Sequence, residues 1–251
     1  AGLNAMTQIY EKVKGKYENN RLKLEQISKN TLKIKNEIND IKKYVEKNLC
    51  DENTKILHRN TEDSKMDISV IGTVYPFELL SPNEKKVVNT VEKINLTLRT
   101  YTSGYLRFEQ DSYMDGNSPW PIATLWMALY YIKSGNRKKA LECFEFVTKS
   151  ATQLGFLSEQ VDNKTMKPNW VIGLGWSHAM YIITLAEILK KYVSILQGSK
   201  VNQAQKQAFL LIRTYFLQKS YNILKMLQKY PEYEQEVKVP EKVWALRIWY
   251  M

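Results

Sequence analysis

Apolar residues recur at three- and four-residue steps over most of this chain, and that spacing predicts helices. The pattern first covers residues 2–18 and stops at the polar run Glu18-Asn19-Asn20. From Arg21 to Leu49, Ile27, Ile34, Ile38, Ile41 and Val45 form one apolar stripe, which predicts a long amphipathic helix. The stretch from Asp51 to Lys65 has no period and predicts a polar loop. Asp67 to Leu80 is short and apolar, and predicts a helix interrupted at Pro76. Ser81-Pro82-Asn83-Glu84 then combines a cap hydroxyl, a first-turn proline and a glutamate three residues on, so a helix over 83–101 follows.

The second half alternates in the same way. A polar loop spans 103–118, and Pro119 is expected to open a helix that runs to Ser134. Gly135-Asn136 breaks it, and residues 137–154 are helical as far as Gly155. A loop over 155–175 is expected to end at a helix capped by Ser177 and reaching about residue 197. A last amphipathic helix is expected over 203–229, with Phe209, Ile212, Phe216, Ile223 and Leu227 on one face. No strand and no glycine-rich phosphate loop is predicted. Gly135-Asn136-Arg137-Lys138-Lys139-Ala140-Leu141 is similar to half of a tetratricopeptide repeat, but no period near 34 residues recurs, so it reads as one helix of a hairpin. Helices joined by alternating short and long loops suit an all-α barrel of hairpins with its site at one rim.

Charge changes this picture little. The net charge is +11, yet residues 60–189 carry 13 Lys/Arg against 14 Asp/Glu, so the excess lies on the flanking lysine-rich helices. Lysines interleaved with glutamates and apolar residues read as solvated helix faces, which argues against a nucleic-acid partner. No apolar run is long enough to cross a membrane. Cys50, Cys143, His58 and His178 show no metal-ligand spacing, and no cofactor is expected. Two cysteines without a pairing pattern lean towards a cytoplasmic location.

The chemistry-bearing residues gather in the neutral part. Leu157-Ser158-Glu159-Gln160-Val161 places one carboxylate between helices, with Trp176-Ser177-His178-Ala179 a short distance on. A loop glutamate by itself is usually a solvated group. Here Phe156 and Leu157 are apolar anchors, and Gln160 supplies an amide able to orient a neighbouring carboxylate. Upstream, Arg107 and Asp111 stand four residues apart. They form either a local ion pair worth at most about 1 kcal/mol or a fork of donors and an acceptor that matches vicinal sugar hydroxyls. Trp120, Trp170 and Trp176 are either core residues or platforms for a sugar ring.

Together these segments resemble the C-terminal part of a family 15 glycoside hydrolase, the glucoamylase group. The stretches that carry the resemblance are Ala1-Gly2-Leu3, Asp67-Ile68-Ser69 through Pro76-Phe77, Arg107 through Trp126, Gly155 through Val161, and Trp176 through Ala179. They cover about residues 1–195. The resemblance implies an (α/α)6 barrel that hydrolyses α-glucosidic bonds with inversion and releases glucose from non-reducing ends, with relatives acting on dextran or trehalose. By resemblance Glu159 matches the general base, Gln160 follows it as in the family, and Arg107 and Asp111 match sugar-holding residues. Trp120 matches an aromatic wall, and Trp176 is expected among the substrate-binding residues.

Two departures stand out. Ser118 separates Asn117 from Pro119, where the family reads Gly-Asn-Pro-Trp. The family's general acid, in a Trp-Glu loop, has no counterpart in residues 1–251. The expectation is therefore residues 1–197 as the C-terminal part of the catalytic domain and 198–251 as a helical extension. The partners are an α-glucan or oligosaccharide substrate and a missing N-terminal half of the same domain. The alternatives are a non-catalytic helical interaction module, a degenerate barrel half, or another α-toroid enzyme.

Overall fold

The computed structural model describes residues 1–114 and 116–198. The expected helix over 203–229 and most of the expected C-terminal extension lie outside the described residues. Ala1–Thr152 and Phe156–Lys191 form one compact unit. A second unit holds, among the described residues, the turn Gln153–Gly155 and the last residues of the final helix.

The described part is mostly helical. Helices α1 (Gly2–Lys14) and α2 (Arg21–Asn48) pack against each other. The Asn20 side chain starts α2 by accepting from Lys23 N at 3.1 Å. The α2 stripe is only partly covered: Thr31 and Ile34 are its buried residues, and Ile41 is exposed. A shallow cavity of about 200 Å³ lies between α1 and α2, lined in part by Ile27, Thr31 and Leu32, and none of the candidate site residues borders it.

The segment after Asp67 departs from expectation. It forms a 3-10 helix over Ile68–Thr73 rather than an interrupted α-helix, with the Asp67 carboxylate capping Ser69 N at 2.8 Å. Helix α3 (Lys85–Thr97) starts later than predicted, with Glu84 at its cap. The Glu84 carboxylate accepts from Ser81 N at 2.7 Å, which is one arm of the expected capping box.

Helix α4 (Pro121–Lys133) is the centre of the core. Its first proline is Pro121 rather than Pro119, and Trp120 stands at the cap. Eleven of its residues are buried, including Ile122, Leu125, Met127 and Leu129. A helix apolar all round is stable only when enclosed. Helix α5 (Arg137–Lys149), the 3-10 helix and a short strand enclose it.

That strand is the main correction to the sequence pattern. Strands β1 (Ser158–Val161) and β2 (Pro168–Ile172) pair antiparallel where a loop is expected. The turn between them is built by Asp162, whose Oδ1 accepts from Lys164 N at 2.9 Å and Thr165 N at 2.6 Å. The last described helix, α6, spans Gly175–Gly198.

The enclosure of α4 predicts a contrast. Leu125→Ala should lower unfolding free energy by about 2–5 kcal/mol, since Leu125 is fully buried. Leu22→Ala, on the exposed side of α2, should change it by less than about 0.5 kcal/mol. Denaturant titration of the two variants measures both.

Candidate active site

The site is assembled on the backbone around Trp120. Trp120 N donates to Tyr105 O at 2.9 Å, and Thr124 Oγ1 donates to Trp120 O at 2.9 Å. Tyr105 N in turn donates to Thr124 Oγ1 at 3.0 Å. Gly104 lets this strand of chain lie close to its neighbours: a Cβ there would meet Phe146 Cζ at 2.5 Å and Pro119 Cβ at 2.6 Å. Trp120 is thereby fixed at the mouth of α4 with its ring almost wholly buried.

Arg107 reaches this ring from a second anchored segment. Ile68 N donates to Arg107 O at 2.7 Å, and Glu109 N donates to Met66 O at 2.9 Å, so residues 107–109 lie alongside 66–68. The Arg107 guanidinium then lies over Trp120 with 3.9 Å from Cζ to the ring centroid, and 5.2 Å from the Tyr113 centroid. Tyr113 and Trp120 are themselves 5.5 Å apart, centroid to centroid. Such cation–π contacts are stronger for the partly desolvated cation found here.

Asp111 completes the cluster. Arg107 Nε donates to its Oδ2 at 2.9 Å and Arg107 Nη2 to its Oδ1 at 2.8 Å. Tyr113 N adds a third bond to Oδ1 at 3.1 Å. The Asp111 side chain is 2% exposed and that of Arg107 30%. The local ion pair that is one of the two sequence readings is therefore present, with its carboxylate buried. Hydrogen bonds donated to Asp111 hold the Arg107 pKa above its ordinary value, burial opposes this, and the charges of Asp111 and then Glu159 add to the rise. Two of the five guanidinium N–H donors are engaged by Asp111.

Glu159 lies on β1, not in a loop as expected. The pairing is irregular there: Ser158 faces Ile172, while Gln160 faces Asn169. Two β2 residues, Trp170 and Val171, therefore oppose Glu159, and Trp170 takes φ +61° to fit the extra residue. Such a bulge re-aims side chains locally. Glu159 is half-buried, and its charge acts on Arg107. Val161 N donates to Pro119 O at 2.9 Å, which ties this strand to the Trp120 segment.

Three polar atoms here are buried without a protein partner: Trp120 Nε1, Glu159 Oε2 and Gln160 Oε1. Such groups are costly in a folded chain, where most buried polar atoms have a protein or water partner. One donor and two acceptors, all shielded from bulk solvent, are suited to a small polyhydroxylated ligand.

Arg107, Asp111, Trp120 and Glu159 thus come together from three separate segments, with Gln160 beside them on β1. Trp176 contributes differently, as its ring meets Trp126 on α4 at 6.3 Å. Ser177 does not cap α6 with its side chain; its hydroxyl donates to Ser158 O at 2.8 Å. Tyr113 and His178 belong to the assembly without having been singled out as site residues. A tyrosine two residues beyond Asp111 is a visible signal for the first. Among the described residues no cluster of His, Cys, Asp and Glu could hold a metal ion, and no helix is long and apolar enough to cross a membrane.

With this geometry in hand, similarity to known proteins is informative. No family model matches the chain. In sequence it is similar to glycoside hydrolases. It is 32% identical over 141 residues to an uncharacterized glycosyl hydrolase of Methanocaldococcus jannaschii, covering 51% of this chain and 23% of that protein. It is 24% identical over 153 residues to trehalase 1 of Sulfolobus acidocaldarius, covering 61% of this chain and 26% of the trehalase. The chain therefore spans about a quarter of the length of these relatives. In structure it matches a wild-type glycosidase with a TM-score of 0.53 at 20% identity, over 67% of this chain and 46% of the other. A glycosidase solved in complex with glucose matches with the same TM-score at 19% identity, with the same coverage of both chains. The fold is the mostly helical one of these glycosidases.

The central pair yields a prediction. Asp111→Ala removes both bonds to Arg107 and should cost about 1–3 kcal/mol. It should also free the guanidinium from the Trp120 face, so tryptophan fluorescence should change in the native state as well as on denaturation.

Proposed function

We propose that this chain is the C-terminal part of the catalytic domain of a glucoamylase-like glycoside hydrolase, built as an (α/α)6 barrel. The observation that carries the reading is Glu159 Oε2, buried and without a protein partner beside the Arg107–Asp111 pair stacked on Trp120. Glu159 is the general base. It takes a proton from a water that attacks the anomeric carbon, and the configuration inverts in one displacement. An inverting pair of carboxyl groups stands about 6.5–9.5 Å apart to admit that water. The paired acid belongs to the part of the parent outside residues 1–251, where the resemblance puts it.

The other residues bind. Arg107 and Asp111 take adjacent sugar hydroxyls, the fork donating and the carboxylate accepting. Trp120 forms the wall behind them, Gln160 joins the substrate-binding residues, and Trp176 extends the aromatic lining. The natural substrate is an α-glucan or oligosaccharide cleaved from its non-reducing end. Trehalose is the second substrate reading, favoured by the two relatives named trehalases.

Two outcomes test this. In the full-length parent, Glu159→Gln should lower kcat by about 10²–10⁴-fold while calorimetry still detects sugar binding; unchanged turnover would remove Glu159 from the mechanism. Proton NMR of fresh product from maltose, isomaltose and trehalose should show inverted anomer, and the fastest substrate identifies the linkage. The 251-residue chain alone should release no glucose from maltose, because it lacks the acid.

A further inference from the structure

The first turn of α6 grips the chain just before Glu159. Leu157 O accepts from Gly173 N at 2.8 Å and from Leu174 N at 3.2 Å. Leu157 N donates to His178 Nε2 at 3.1 Å, and Ser158 O accepts from Ser177 Oγ at 2.8 Å. Leu157 and Ser158 are buried, so these backbone groups have no ready access to solvent. On the far side of Glu159, Val161 N is held by Pro119 O. Glu159 is thus suspended between two fixed points, one of which depends on a histidine side chain.

We propose that His178, with Ser177, is a positioning residue for the Glu159 carboxylate, acting only while its imidazole is neutral. This rests on the reading of Glu159 as general base. Nε2 can accept the Leu157 N–H only when it carries no proton. Protonation turns the acceptor into a second donor facing a donor, and the Leu157 N–H loses its partner.

The surroundings of the ring favour the neutral form. His178 packs edge-on against Phe156 at 6.3 Å, and burial pushes its pKa below the ordinary histidine value. Burial is the cause of that shift, with no contribution from a charged side chain, Glu159 included. The sign follows by linkage. The neutral clamp is fully present above the unfolded histidine pKa and is lost as pH falls through the lowered folded value. A glycosidase built this way loses activity on its acid side through a group that never touches the sugar. Misplacing a catalytic group by about 1 Å costs on the order of 10²-fold in rate.

Backbone amide exchange in the full chain tests the clamp without any assay of hydrolysis. His178→Phe keeps the ring beside Phe156 and removes the acceptor; His178→Gln restores an acceptor that does not titrate. At pH 7.5 the Leu157 amide should exchange about 10-fold faster in H178F than in the wild type, and recover in H178Q. On lowering the pH through the folded His178 pKa, wild-type protection, corrected for the intrinsic exchange rate, should fall by a similar factor, while that of H178Q should hold. Equal protection in wild type and H178F, or equal pH dependence in wild type and H178Q, would overturn the proposal. If H178F fails to fold, the comparison of wild type with H178Q across pH decides. In the full-length parent the acid limb of kcat should move in H178Q with KM little changed. An inactive wild-type parent would refute the glycosidase reading alone, because the exchange experiment judges the clamp separately.

Discussion

The burial of α4, eleven of whose thirteen residues are enclosed, is the constraint on which the rest of this structure depends. A helix with no polar face has to be covered on every side, and here α5, the 3-10 helix after Asp67 and strand β1 do the covering. Because β1 is one of those walls, the strand that carries Glu159 is held by the core and not by a surface loop. Because Trp120 caps α4, its position follows from the same packing through Tyr105 and Thr124. Core and candidate site share one framework, which suits chemistry that tolerates little displacement.

On that framework the site is a balance of one cation and two carboxylates. Arg107 is stacked on an aromatic face, gripped by Asp111 and felt by Glu159. The stack fixes the plane of the guanidinium, and Asp111 fixes its rotation in that plane. Low local polarity strengthens each of these contacts and raises the cost of any polar atom left without a partner. Glu159 Oε2, Gln160 Oε1 and Trp120 Nε1 are three such atoms.

Backbone hydrogen bonds to side chains join the parts of the chain that sequence separates. Ser177 is read from sequence as a helix cap, yet its hydroxyl serves Ser158 O, nineteen residues earlier. His178 likewise serves Leu157 N, twenty-one residues earlier. Both side chains leave α6 to stabilise the start of a strand that has, among the described residues, one partner strand.

The sequence by itself determined the helices, because apolar spacing is local and each stripe identifies its own face: α2, α4 and α5 fall within a few residues of their predicted spans. It also singled out candidate residues, since Arg107, Asp111, Trp120 and Glu159 stand out by type in a neutral region. Only the tertiary structure decided where they sit relative to one another. Strand β1 reads Ser-Glu-Gln-Val, with no alternation of apolar and polar residues to reveal it, and it exists because α4 needs a wall and β2 supplies hydrogen bonds. The nearness of Glu159 to Arg107, fifty-two residues away, depends on long-range pairing that no local pattern encodes. The same is true of the bulge at Trp170, where one extra residue sets the local geometry of the strand that bears the carboxylate.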